Sequence, residues 1–470
     1  MESHHDVLDP PARPASPPPA RAPARFPDRT DLELHQELHA RPALPARPPC
    51  VVSYWVQADM AGARADAALT ALCLSLGLPA PAPGVRHQVV QAPAYVLKFE
   101  RHGEFTSWQV NRPLTSVHDD ADDATLRGLM QEASALADLP DCFVTELSAP
   151  DAGRMLAAAH VVMLQAHDSD DMLRRCQALM AAQAGPASAD DAAPMMGAFI
   201  GDARRGALLT HLRLGRDGFT RFLVLDFGLP RDQAAREAQR LCEIEAYRML
   251  AMQGFPVAQR EAALLAELER TLQGTVDAMA NDSSHDDAQA FETLTRLAAE
   301  VEHGTARTRY RFSATRAYRA IVDQRLADLR EQRISGVQTL TGFLSRRFTP
   351  AMALCDSIDR RLTDVGERIN RATSLARVRI EAQREQGNQE LLRALAQRQK
   401  QQLQLQQTVE GLSVVAISYY ALGLVGYLAK ALKVVPALAG LSPEVVVGVA
   451  VVPVVAGVAW FIHRLRKHWA

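Results

Sequence analysis

Lysine is scarce in this chain. Five lysines stand against 47 arginines in 470 residues. With the high alanine content, this reads as a GC-rich coding bias rather than selection for bidentate contacts. An excess of either charge is also missing: 52 basic and 54 acidic residues leave a net of −2. That balance argues against a free nucleic-acid binder, which carries a basic surplus. The six cysteines, at 50, 73, 142, 176, 242 and 355, form no CxxC pair. They are expected to be isolated buried thiols in a reducing compartment. No GxGxxG, P-loop or GxSxG occurs, so the common dinucleotide, phosphate-cradle and nucleophile-elbow chemistries have no sequence support. The first 28 residues contain no continuous apolar stretch of signal-peptide type, and the N-terminal region is expected in the cytosol.

What is present is unevenly distributed. Residues 1–302 hold 27 basic and 42 acidic residues, residues 303–411 hold 20 and 11, and residues 412–470 hold 5 and 1. The near-neutral total therefore hides an acidic front, a basic middle and a basic, apolar end. The length suffices for two or three domains, and 48% hydrophobic residues exclude a wholly disordered chain. Residues 1–28, rich in Pro, Ala and Arg, read as a disordered tail.

Residues 29–230 read as an α+β domain with a mostly antiparallel sheet. Its first segment, Asp31 to Pro42, is a short helix that Thr30 or Asp31 caps and Pro42 ends. His35 and His39 share one helical face, and Glu37 and Arg41 form an i, i+4 pair of opposite charge. Gln36, not Glu, follows the first histidine, so this is not the zincin pattern. The helix is expected to pack through this polar face. His35, Glu37, His39 and Arg41 are the candidates for a functional polar site, with no catalytic residue, metal or cofactor expected. Strand-like runs follow at 51–56, 88–91, 95–100, 105–111, 160–165, 196–200, 207–214 and 219–225. Asp217-Gly218 marks a hairpin. Helical stretches lie at 65–76 and 124–137. The clusters Asp119, Asp120, Asp122, Asp123 and Asp168, Asp170, Asp171 lack EF-hand spacing and read as helix N-termini, where carboxylates favour the helix dipole. Trp55 and Trp108 sit in strand patterns and are expected in the core.

From Asp232 the apolar period becomes helical. Residues 231–350 form a helical region, with breaks expected at Pro256, between 302 and 305, near Gly336 and at Pro350. Residues 351–410 are expected to be a long stalk helix. Leu354, Ile358, Leu362, Val365, Ile369, Ala372 and Ala376 recur at steps of three and four, close to a heptad seam. Residues 351–407 alone would be on the order of 85 Å long at ~1.5 Å per residue. Such a helix needs a packing partner, either residues 288–334 or another chain.

The chain ends in two uncharged runs, 411–429 and 445–462, each long enough to cross a hydrocarbon core of about 30 Å. Tyr427, Trp460 and Trp469 fit an interfacial belt. Arg393, Arg398 and Lys400 precede the first run, and Arg464, Arg466 and Lys467 follow the second. The connection carries Lys430 and Lys433 against Glu444. The outer flanks are thus more basic, which predicts a two-span hairpin in the cytoplasmic (inner) membrane, both termini cytoplasmic, with residues 463–470 as a basic tail.

Several blocks together resemble a known family: Glu37-Leu-His-Ala-Arg-Pro42, Glu243-Ile-Glu-Ala-Tyr-Arg248, Gly336-Val-Gln-Thr-Leu340, Arg346-Arg-Phe-Thr-Pro-Ala351 and the long run Gln407–Tyr420. They resemble the DUF3422 family, uncharacterised bacterial proteins described as membrane-anchored, from about residue 30 to the end. The resemblance implies a cytoplasmic domain with a C-terminal anchor and brings no catalytic residues. The functional expectation is a membrane-anchored, homo-oligomeric scaffold or interaction module, bound to the lipid bilayer through 411–462 and not to nucleic acid. The alternative is an ion-transport protein, because the order of domains is similar to that of CorA-type channels. Their Gly-Met-Asn signature is missing: the last Met is Met352 and the last Asn is Asn388.

Overall fold

The computed structural model describes residues 43–58, 62–114, 121–167, 169–183, 194–281, 286–432 and 442–469. It divides into two compact units, residues 1–271 with 299–367, and residues 272–298 with 368–470.

The first unit is built on a nine-stranded sheet in the order β2-β3-β4-β1-β5-β8-β7-β6-β9. The strands are β1 (Cys50–Gln57), β2 (His87–Gln91), β3 (Val96–Arg101), β4 (Thr106–Pro113), β5 (Met155–Gln165), β6 (Met196–Ile200), β7 (Gly206–Leu214), β8 (Thr220–Asp226) and β9 (Gln332–Arg333). Neighbours pair antiparallel except β5 and β8, which run parallel. That parallel seam needs a long crossover. The crossover contains α4 (Ser169–Gln183), β6 and β7.

Alternation along each strand divides the side chains between two cores. Val51 and Trp55 of β1, Phe99 of β3, Trp108 of β4 and Val162 of β5 face one core. It is closed by α1 (Ala63–Ser75), α2 (Asp123–Glu132), α3 (Asp141–Leu147) and α4. Trp55 and Trp108 stack there with centroids 6.2 Å apart. Val52, Tyr54, Val161, Phe222 and Val224 face the other core, beneath α5 (Arg231–Met252) and parts of α7 (Asp287–Asp328) and α8 (Leu340–Leu432). Every residue of β1 is buried, as a central strand covered on both sides must be. The unit is therefore an α/β domain with a mixed sheet. The expected mostly antiparallel sheet holds, with β5–β8 its one parallel pair; the expected α+β class is corrected, because helices cover both faces.

The helices also depart from expectation. α6 (Gly254–Asn281) begins at the anticipated break before Pro256. No break separates residues 302 and 305, because α7 runs through Gly304. Gly304 faces Leu362 of the neighbouring helix, with 3.4 Å between an added Cβ and the leucine. Pro350 does not end α8 either. Phe348, Ala351, Met352 and Cys355 around it are all buried, and this packing outweighs the lost backbone bond. The break near Gly336 is real: its φ is +77°, and α8 starts four residues later. There the Glu331 carboxylate accepts from the N–H groups of Leu340 and Thr341, each at 3.0 Å, satisfying donors that the first helical turn leaves open.

In the second unit Leu272, Met279, Leu294, Ile369, Ala372 and Ala376 are buried. Arg368 donates to Gln273 at 3.2 Å and Gln383 to Asp287 at 2.9 Å. The heptad-like seam is thus covered within the chain as far as Ala376. Beyond it, residues 381–409 of α8 are all exposed. α8 then continues through the first apolar run without interruption. The second run lies in α9 (Pro443–Trp469), which carries Pro453. A Cβ on Gly426 would lie at ordinary contact distance, 3.5 Å, from Val447, so α8 and α9 approach each other here.

Candidate functional site

Three neighbouring strands place one polar residue each on the otherwise apolar face beneath α1–α4. Ser53 of β1 pairs with His160 of β5, and His160 pairs across the parallel seam with Arg221 of β8. The Ser53 hydroxyl lies 2.8 Å from His160 Nδ1, and it accepts the Ala135 N–H at 2.8 Å. Asp217, from the β7–β8 hairpin, folds back over this row. Its Oδ2 stands 3.5 Å from His160 Nε2 and 2.7 Å from Arg221 Nη2. Arg221 Nε donates to the Gln131 carbonyl at 2.7 Å. The Phe219 ring stacks on the imidazole at 4.1 Å.

Burial, and then the Arg221 guanidinium, push the His160 imidazole down to about 4 against the pull of Asp217. The ring is therefore neutral at pH 7. With Ser53 donating to Nδ1, Nε2 carries the proton toward Asp217. Partial burial pushes the Asp217 carboxyl up, but the Arg221 guanidinium and the Phe219 N–H outweigh it and hold the carboxyl below its usual range.

A Ser–His–Asp row invites comparison with a hydrolytic triad. The burial argues otherwise. Ser53 is 0% exposed, and its oxygen is engaged by both His160 and the Ala135 N–H. No substrate carbonyl reaches it. The row instead fastens residues 131–135 to the sheet and fixes the direction of Arg221.

Beside the row lies a cavity of about 720 Å³. Met130, Val162, Met180 and Leu223 give it an apolar wall, and His211, Arg213, Arg216, Asp217 and Arg221 a polar one. β7 bulges here: its register against β8 shifts between Thr210 and Leu214. Leu212 in the bulge has φ +51°, a left-handed conformation that costs a leucine on the order of 1 kcal/mol or more. Thr210 holds the bulge, accepting from the Leu212 N–H at 2.9 Å and donating to the Arg221 carbonyl at 2.7 Å. Burial, and secondarily Arg213, lower the His211 imidazole below its ordinary value.

The residues singled out from the sequence, His35, Glu37, His39 and Arg41, lie outside the described residues. Asp122 caps α2, accepting from the Thr125 N–H at 2.8 Å, while Asp170 and Asp171 occupy the first turn of α4. These members fulfil the helix-terminal reading, while Asp119, Asp120 and Asp168 lie outside the described residues. Among the described residues, no three His, Cys, Asp or Glu side chains gather as a metal site would require. Five of the cysteines are buried, but Cys142 is exposed. On the opposite sheet face, Lys98 and Glu100 form a buried ion pair at 3.3 Å, with Gln109 and Asn111 bonded to each other nearby at 3.0 Å. Sequence reading missed His160 and Arg221. The available signal for the first was one histidine inside the apolar run Ala157–Leu164.

A family model described as a protein of unknown function, DUF3422, matches residues 25–469. The chain belongs to the DUF3422 family. No curated protein and no solved structure matches it. The DUF3422 description carries no activity, so no residue role transfers to Ser53, His160, Arg221 or the cavity.

Proposed function

We propose that this DUF3422 chain is a membrane-anchored interaction module. Its C-terminal hairpin holds the α/β domain at the cytoplasmic face of the inner membrane, and it works as a homo-oligomer. One observation carries the reading. Two helices are long and apolar enough to cross a bilayer, yet only 11% of the apolar window in the first, and none of that in the second, is buried in the protein. A core hairpin of a soluble protein would be mostly covered. An exposed apolar pair of this length finds its partner in lipid. The basic flanks support an orientation with both termini in the cytoplasm.

The exposed helix between the packed seam and the first span supports the oligomer. Leu391, Leu392, Leu395, Leu403 and Leu405 are each more than half exposed. An isolated helix of this length is marginal in water, and a second copy laid along it in coiled-coil fashion covers these leucines.

The test is fractionation followed by sizing. The full chain is expected to remain with membranes through alkaline carbonate and to elute from mild detergent as more than one copy. Release into the carbonate supernatant would sink the anchor, and a strict monomer would sink the oligomer. Liposomes containing the protein are expected to stay tight to divalent cations; flux would move the reading to ion transport.

A further inference from the structure

We propose that the cavity at the β7–β8 bulge binds a small organic anion: a phosphate or carboxylate group carried on an apolar body. The inference is independent of the membrane reading.

The cavity wall holds unspent hydrogen-bonding capacity. Arg221 uses Nε on the Gln131 carbonyl and Nη2 on Asp217. Its Nη1 is buried with no partner in the protein, and so is His211 Nε2. Both residues line the same cavity. A buried donor without an acceptor is costly, more so on a charged group. The row on the sheet holds Arg221 from two sides, so the guanidinium cannot turn away to find an acceptor without breaking those bonds. A ligand oxygen in the cavity supplies Arg221 Nη1 with its missing acceptor, and serves His211 as well when its proton is on Nε2.

The charge has the matching sign. Asp217 is already committed to Arg221 at 2.7 Å, and His211, held below its ordinary value, is neutral at pH 7. This leaves Arg213 and Arg216 against Glu132 on the cavity wall, a surplus of one positive charge. Guanidinium groups bind phosphate and carboxylate through paired N–H donors.

The opposite wall fixes the rest of the ligand. Met130, Val162, Met180 and Leu223 offer apolar contact that an inorganic ion does not use. The volume suits a small molecule rather than a bare ion or a peptide. The strained Leu212 and the bulge lie on this wall too, and strain of that kind gathers at ligand sites.

The experiment is titration calorimetry on the full chain in non-ionic detergent, with phenyl phosphate, benzoate, inorganic phosphate and benzylamine as probes. Dihexanoyl phosphatidic acid separates a lipid headgroup from a free anion. Phenyl phosphate or benzoate is expected to bind at least about tenfold more tightly than inorganic phosphate or benzylamine. Binding of the phosphatidic acid alone supports the same chemistry and assigns it to a lipid. Arg213→Gln/Arg216→Gln, at exposed positions, is expected to weaken the preferred anion about tenfold at an unchanged unfolding midpoint. Arg221→Gln is expected to abolish binding; if it does not fold, the double variant carries the test. No heat with any organic anion, equal affinity for inorganic phosphate, preference for benzylamine, or an unaffected double variant overturns the proposal.

Discussion

His160 gives the α/β domain one identifiable source of acid sensitivity. Its imidazole titrates near 4 in the fold and near 6.5 in an unfolded chain. The folded state therefore resists protonation, and stability is complete above about pH 6.5 and lost as pH falls toward 4. The loss from this group is about 3 kcal/mol. In His160→Gln the stability deficit relative to the parent is expected to shrink over that interval. Urea unfolding followed by tryptophan fluorescence at pH 7.5 and 4.5 reads this directly, and a deficit that does not change with pH refutes it. Ser53→Ala tests the neighbouring bond. It strands the buried Ala135 N–H, at an expected cost of about 1–3 kcal/mol, with faster amide exchange through residues 131–135. Gly197 is sensitive for a steric reason: an added Cβ would lie 2.5 Å from Leu209 Cδ2 and 3.0 Å from the Leu208 carbonyl. Gly197→Ala is expected to lower stability by about 1–3 kcal/mol.

Among the elements, α8 shows most clearly how tertiary packing overrides local signals. The sequence places a stop at Pro350, and intrinsic propensity agrees. The helix continues because its flanking side chains are buried in the α/β domain. Pro350→Ala restores an amide donor for the Arg346 carbonyl and is expected to raise stability by as much as about 3 kcal/mol. An unchanged or lower thermal midpoint would mean that the proline's bend is itself required. At the start of the same helix, Glu331→Ala removes the carboxylate that receives two N–H groups. About 1 kcal/mol should be lost, with fraying of the first turn in hydrogen exchange.

For the whole molecule, the proposed anchor makes a prediction that composition alone would not. Val452 is 75% exposed in α9. A charge there costs a spanning helix about 2.5–3.5 kcal/mol at mid-bilayer and costs a water-exposed helix almost nothing. Val452→Arg is expected to reduce the membrane-inserted fraction while leaving the fold of the α/β domain, read by its fluorescence, intact. Full insertion of that variant argues against a lipid-facing α9.

Much of this chain was legible in its residues. Eight of the sheet's strands coincide with runs of alternating or apolar residues, and the Asp217-Gly218 turn and the two long apolar runs stand out in the same way. These are local patterns set by periodicity and turn chemistry. The short α3, the two-residue β9 and the continuity of α7 and α8 carry no such pattern; packing against distant residues decides them. The candidate site belongs to the second kind. Ser53, His160 and Arg221 are separated in sequence by 107 and 61 residues, and they meet because β5 accepts β1 on one edge and β8, in parallel, on the other. Strand order is a long-range choice that no local window encodes. The sequence by itself determined eight of the strands, the family and the apolar end. The tertiary structure alone decided which polar side chains share one sheet face, and so where the cavity and its unspent donors lie.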